Sequence, residues 1–201
     1  ALLTDRTKIV AVAHVSNVLG TVNPVAQLAR LAHDKGAIII VDGAQSAPHM
    51  SVNVQELGID AYVCSSHKVY GPTGIGIVWG RRKLLEQIPP YQYGGEMIEH
   101  VSFEETTFNE LPYKFEAGTP DFIGSHAFAT AVEYLSAIGL DRIHAYETEL
   151  LEHLTQIISQ EPSLEILGTA PGKGAVVTFI SHQAHAYDLG LLLDQQGVAL
   201  R

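Results

Sequence analysis

The chain has 201 residues, 46% of them hydrophobic, with 22 acidic side chains against 12 basic ones and a net charge of −10. That length suits one to two domains with a sizeable core. The acidic balance excludes nucleic acid as a partner, because binding it needs clustered cations on phosphates. Apolar runs are strand-sized, far short of the roughly 20 residues of a spanning helix, so no membrane partner is expected. Cys64 is the single cysteine, which rules out an internal disulfide and fits a reducing, cytoplasmic setting. No secretory signal opens the chain. It begins at Ala1 and runs straight into a strand-like segment, as a processed chain or a piece of something longer does.

In chain order, Lys8 to Ala13 predicts a first buried strand, ending at His14-Val15-Ser16-Asn17. A helix follows, with Asn23 as N-cap, Pro24 at the first helical position and Gly36 at the C-terminal cap. Val25, Leu28, Ala29, Leu31 and Ala32 give that helix one apolar stripe. Strands over Ile38–Val41, Tyr62–Cys64 and Gly74–Trp79 alternate with short helices near Val54–Leu57 and Arg82–Ile88. That rhythm predicts an α/β fold with a doubly wound, mostly parallel sheet. From Pro89 to Pro120 the pattern dissolves into aromatic, Gly and Pro residues, a loop long enough to be functional or to lie between subunits. Helices return over Phe122–Ile138 and Asp141–Ser159. The tail reads as a small α+β unit: strands Leu164–Leu167 and Val176–Ile180, a helix from Tyr187 to Gln196, and a strand begun at Val198–Arg201. We expect residues 1–135 to form part of a large domain and 136–201 part of a smaller C-terminal one.

The chemistry sits at strand ends. Asp42 closes the run Ala37-Ile38-Ile39-Ile40-Val41, and Lys68 follows Ala61-Tyr62-Val63-Cys64-Ser65-Ser66-His67. Polar residues just past the carboxyl ends of parallel strands face the ligand crevice of an open α/β sheet. A lysine past a strand is usually only solvated. Lys68, however, shares one rim with Asp42-Gly43-Ala44-Gln45-Ser46 and with Ser16-Asn17, and solvation alone does not explain three polar strand ends. A carboxylate and an amine so placed suit pyridoxal phosphate, which needs a Schiff-base lysine and an acidic partner for its ring nitrogen. The segment Ser65-Ser66-His67-Lys68-Val69-Tyr70-Gly71-Pro72-Thr73-Gly74 adds hydroxyls and an imidazole that can hold a phosphate, with glycines that permit close backbone approach.

These segments resemble the class V aminotransferase superfamily of fold-type I pyridoxal phosphate enzymes, within it the SUF-type cysteine desulfurase and selenocysteine lyase group. The resemblance runs through His14-Val15-Ser16-Asn17-Val18-Leu19-Gly20, Val41 to Gln45, Ser65 to Gly76, Gly94-Gly95-Glu96-Met97-Ile98, Phe115-Glu116-Ala117-Gly118-Thr119-Pro120 and Leu191 to Arg201, essentially the whole chain. It implies the fold-type I architecture and pyridoxal 5'-phosphate as cofactor, with Lys68 as the catalytic, covalently attached residue. It also implies that Asp42 partners the pyridinium nitrogen, that Gln45 bonds the phenolic oxygen with Asn17 nearby, and that Ser65 and His67 bind the phosphate. Thr119 would reach the phosphate of the partner subunit, so a homodimer with shared active sites is implied. Ser66 stands where relatives often carry Gly.

The resemblance implies an enzyme that converts L-cysteine to L-alanine and passes the sulfur on as a persulfide for iron–sulfur cluster assembly, with a sulfur-acceptor protein as a further partner. L-selenocysteine, or another class V chemistry, is the near alternative. A non-catalytic domain that keeps dimer or acceptor contacts is the distant one. By the same resemblance the persulfide-forming cysteine belongs to a loop after Arg201, and the ring-stacking histidine to a segment before Ala1. Cys64, inside a strand, reads as core rather than as that thiol. The spacing His182-x-x-His185 lacks further ligands for a metal, and none is expected. His14 and His49 read as pocket-lining or as satisfied structural residues. Glu147, Glu149 and Glu152 read as a solvated helix face, and the aromatics from Tyr91 to Phe115 as interface or lid packing.

Overall fold

The structure is a computed structural model that describes residues 2–201. Four strands form its central sheet in the order β1 (Ile9–Ala13), β2 (Ile38–Asp42), β3 (Ala61–Ser65) and β4 (Gly76–Gly80). β1, β2 and β3 are parallel and β4 is antiparallel to β3, so the sheet is mixed at this edge. Each parallel crossover contains a helix, α1 (Val25–His33) or α2 (Val54–Leu57). This is the α/β alternation expected from the sequence.

The uniformly apolar strands have two unlike faces. Ile39, Val41, Tyr62 and Cys64 are buried with Val25, Ala29 and Ala32 of α1, which recur at helical spacing; Ile59 completes the cluster. Burying Ile39, Val41 or Val25 contributes about 1.5–3 kcal/mol each relative to exposure. Residues of opposite parity, including Ala13, Asp42, Val63 and Ser65, share the other face through the strand register. Val78, opposite Val63, is 70% exposed on that face.

At the amino ends of β2 and β3 the sheet is closed by one carboxylate. Asp60 is 8% exposed. It accepts hydrogen bonds from the Ile39 amide at 2.8 Å and from His33 Nε2 at 2.8 Å, and it lies 3.2 Å from Arg81 Nε. It thereby ties α1, β2 and the end of β4 to the start of β3.

Asn23 does not cap α1. Pro24 takes that position, and Asn23 Nδ2 donates to the Ala13 carbonyl at 2.7 Å instead, holding the chain against β1. Where a long loop was expected, a hairpin forms from β5 (Ile98–Val101) and β6 (Thr106–Phe108). Its turn is fixed by Ser102 Oγ, which accepts from the Glu104 and Glu105 amides. Hairpin signals in the sequence are weak because no Asn-Gly or Asp-Gly pair marks the turn. After α3 (Arg82–Gln87) and the hairpin come α4 (Phe122–Ile138), capped by Asp121 Oδ1 on the Gly124 amide at 2.8 Å, and α5 (Leu140–Ser159). Gly139, at φ +92°, makes the break between them.

The tail holds an antiparallel pair, β7 (Leu164–Leu167) with β8 (Thr178–Ser181), and α6 (Ala186–Asp194). Val198–Arg201 has no strand pairing among the described residues, contrary to expectation. No helix among the described residues is long and apolar enough to cross a membrane.

Candidate active site

The sheet register places Asp42, Val63 and Ser65 on the face opposite the α1 core. The chain after Ser65 tightens into a single 3₁₀ turn, Ser66–Lys68. That turn is held from both sides. The Ser66 amide donates to the Ile75 carbonyl, while the Ser66 carbonyl accepts from the Val69 and Gly71 amides. Gly71 is obligatory here, since a Cβ on it would stand 2.0 Å from Ser66 Oγ. Val69 is buried against Phe128 and Leu135 of α4. Residue 69 is thus an apolar peg that presents Lys68 and His67 outward, both exposed.

Asp42, Ser65, His67 and Lys68 line one open cavity of about 570 Å³, with Ala44 and Gly76 among its other walls. Asp42 Oδ1 accepts from the Ala44 amide at 2.9 Å, which folds the carboxylate over its own turn and leaves its remaining acceptor sites free of protein partners among the described residues. A larger cavity of about 920 Å³ lies between α5, β7 and the loop up to Lys173. Size does not locate the site here: the strand-end carboxylate, amine, imidazole and hydroxyl converge on the smaller cavity. Convergent polar groups in a concavity are what mark a binding site.

Three expected residues stand outside that cavity. Asn17 is exposed in the turn after β1, where Ser16 Oγ accepts from the Val18 and Leu19 amides. Gln45 is half-buried and lines a neighbouring void of about 30 Å³ against α5. Thr119 is exposed beyond Gly118, whose amide donates to the Gly95 carbonyl at the base of the hairpin.

The turn after Asp42 rests on Tyr62, which the sequence marks only as part of a strand. The Tyr62 ring lies so close over Gly43 that a Cβ there would be 1.8 Å from it. Its hydroxyl is 2.8 Å from Ser46 Oγ and donates to the Gly43 carbonyl at 3.3 Å. Burial pushes the Tyr62 phenol up to about 12. The small residue at position 43 is what lets that ring approach so closely.

Cys64 packs in the α1 cluster, on the face away from Asp42, and burial followed by the Asp42 charge pushes its thiol up. It is a core residue. His14 is buried with Nδ1 unpartnered, and desolvation lowers its pKa. His182 pairs with Glu165 at 3.3 Å, and His185 Nδ1 accepts from the Tyr187 amide at the start of α6. Glu147, expected in solvent, instead binds His49.

Known proteins are similar to this chain over its whole length. A probable cysteine desulfurase of Xylella fastidiosa strain Temecula1 is 49% identical over 200 residues, covering 100% of this chain and 48% of that protein. A cysteine desulfurase of Haloferax volcanii is 47% identical over 202 residues, covering 100% of this chain and 47% of that one. The chain therefore spans about half the length of the curated relatives it matches. Among solved structures, the Escherichia coli cysteine desulfurase CsdA superposes with a TM-score of 0.93 at 35% identity, over 100% of this chain and 50% of that one. The family model for class-V aminotransferases matches residues 1–201, and the chain belongs to that family.

Proposed function

We propose that this chain is the cofactor-binding portion of a pyridoxal phosphate-dependent cysteine desulfurase, acting on L-cysteine to give L-alanine and a persulfide. The observation that carries this reading is the convergence of Asp42, Ser65, His67 and Lys68 on one cavity, in a chain 49% identical to a protein named as a cysteine desulfurase.

The donor set fits the cofactor. A carboxylate, an amine, an imidazole and a hydroxyl face one space, with glycine backbone at its wall. When bound, pyridoxal phosphate supplies an electron sink for bonds at the Cα of an amino acid. The Asp42 carboxylate would accept a hydrogen bond from the ring N–H and so keep that nitrogen protonated, as a carboxylate beside a cation does. Ser65 Oγ and the His67 ring donate to phosphate oxygens. Lys68 Nζ would be the point of covalent attachment and the group that moves a proton to and from the substrate Cα. Gln45 and Asn17, on adjoining turns outside that cavity, would reach the ring hydroxyl only by turning toward it. Thr119 serves the phosphate of a partner subunit in a homodimer.

Cys64 has no part in sulfur transfer, because its side chain belongs to the covered face. The acceptor thiol lies outside residues 1–201, and an acceptor protein for iron–sulfur cluster assembly takes the sulfur from it. The division into a large domain over residues 1–135 and a small one from 136 is part of the same reading, as is a cytoplasmic location.

The test is to load the full-length protein with pyridoxal phosphate, reduce it with borohydride and map the adduct by peptide mass. An adduct on Lys68 is expected. An adduct on any other lysine, or none in a folded protein, rejects the assignment. Turnover of L-cysteine against L-selenocysteine then fixes the substrate.

A further inference from the structure

The turn after Asp42 is fastened to α5 by a pair of side chains that none of the assigned roles uses. His49 Nδ1 donates to Glu147, 2.8 Å from Oε1 and 3.0 Å from Oε2. The two residues are 98 apart in the chain. Their side chains are 37% and 22% exposed, so the pair is partly screened from solvent. One turn further on, Ser51 Oγ donates to Asp141 Oδ1 at 3.0 Å, a second tie between the same two segments.

The geometry makes this more than a surface contact. Residues Gly43–Met50 form consecutive tight turns, with the Ala47 amide on the Gly43 carbonyl and the Met50 amide on the Ser46 carbonyl. In such a coil, positions i and i+4 share a side. Gln45 and His49 are so spaced, and both line the small void against α5, together with Glu147. At its start the coil is fixed by Asp42 Oδ1 on the Ala44 amide and by Tyr62 over Gly43. At its far end His49–Glu147 is the fastening. Gln45 lies between the two anchors.

We infer that His49 and Glu147 are a positioning pair: by pinning the coil to α5 they fix the turn that has Asp42 at its root, and so tune a bound cofactor they do not touch. This rests on the reading that Lys68 and Asp42 hold pyridoxal phosphate. A group that holds a ligating residue in place alters the ligand's binding and electronic state, whereas a mere brace alters only stability.

The experiment uses the full-length, cofactor-loaded enzyme and four variants: His49→Ala, Glu147→Ala, the double variant, and His49→Gln, whose amide still donates to Glu147. For each, the pH at which the cofactor's visible absorption band titrates is measured, with the cofactor dissociation constant and Tm. Both single alanine variants should displace the titration midpoint in the same direction and weaken cofactor retention on the order of twofold to tenfold. The double variant should be no worse than the poorer single, and His49→Gln should recover most of the loss. An unchanged midpoint and unchanged retention with a lowered Tm would overturn the inference and leave a structural brace; fully additive effects would overturn it as well. If the alanine variants do not fold, Glu147→Gln, which keeps one accepting oxygen and the shape, gives the same readout. Borohydride mapping of the parent separates the two levels. An adduct on Lys68 with silent variants removes only the positioning role, whereas no adduct removes the cofactor reading and this inference with it.

Discussion

Two aspartates mark the two ends of the same sheet and are used in opposite ways. Asp60, at the amino end of β3, is buried and accepts from the Ile39 amide and His33, with Arg81 beside it. Asp42, at the carboxyl end of β2, is exposed toward a cavity and bonds one backbone amide, that of Ala44. A buried carboxylate must have its acceptor sites filled or it costs more than it contributes. A carboxylate left with free acceptor sites beside an amine and an imidazole is poised for a ligand. The first closes the fold; the second is available for chemistry.

Substitutions at the two ends should therefore separate activity from stability. Lys68→Ala in the full-length protein removes the point of attachment, so borohydride should give no adduct and L-cysteine turnover should fall to background. A reducible adduct on another lysine would break the contrast at its strongest point. Asp42→Asn keeps the shape of the carboxylate and the bond to Ala44, so Tm should hold. Turnover should still fall by about 10²–10⁴-fold, the usual scale for losing a residue that controls a proton in the transition state. Unchanged kcat at full cofactor occupancy would show that Asp42 is as structural as Asp60.

The two ends were not equally legible. Asp42 and Lys68 could be found in the sequence because each ends a strand-length apolar run, and the rule that ligands gather at carboxyl strand ends needs only chain order. Asp60 carries no such signal: its three partners come from residues 33, 39 and 81 and meet only in three dimensions. The same holds for His49, whose partner Glu147 sits on a helix with Glu149 and Glu152 and reads like them as solvated. The parallel strands and α4 and α5 were readable from periodicity. The hairpin Ile98–Phe108 was not, because its turn uses Ser102 rather than a glycine pair, and the strand expected over Val198–Arg201 is absent for want of a pairing neighbour among the described residues. Gln45 and Thr119 stand apart from the 570 Å³ cavity although their motifs place them with it; sequence order gives the turn but not the direction the side chain takes.

Asp60→Ala should act at the closed end alone. It strands the buried Ile39 amide and takes the carboxylate partner from His33 and Arg81, at a cost of about 3 kcal/mol. Urea denaturation reads that cost, and cofactor attachment at Lys68 measured well below the midpoint should match the parent. A loss of attachment in a folded Asp60→Ala protein would mean that the two ends are coupled through β2 and β3.

Tyr62→Phe is the finest test, because Tyr62 lies between the two ends and supports the Asp42 turn. Losing the hydroxyl leaves the buried Ser46 with the Gly43 carbonyl as its remaining partner, a loss of about 1 kcal/mol. The substitution also predicts a change in pH dependence. The phenol's folded pKa, about 12, lies above its ordinary 10.0. The folded state therefore holds this proton more tightly than the unfolded one does. The corresponding stability is fully present below pH 10 and drains away as pH rises through about 12, because the unfolded chain ionises first. The parent should lose stability across that window, and Tyr62→Phe should show a shallower slope there from a slightly lower plateau at neutral pH. Parallel curves for the two proteins would mean that Tyr62 ionises as freely folded as unfolded.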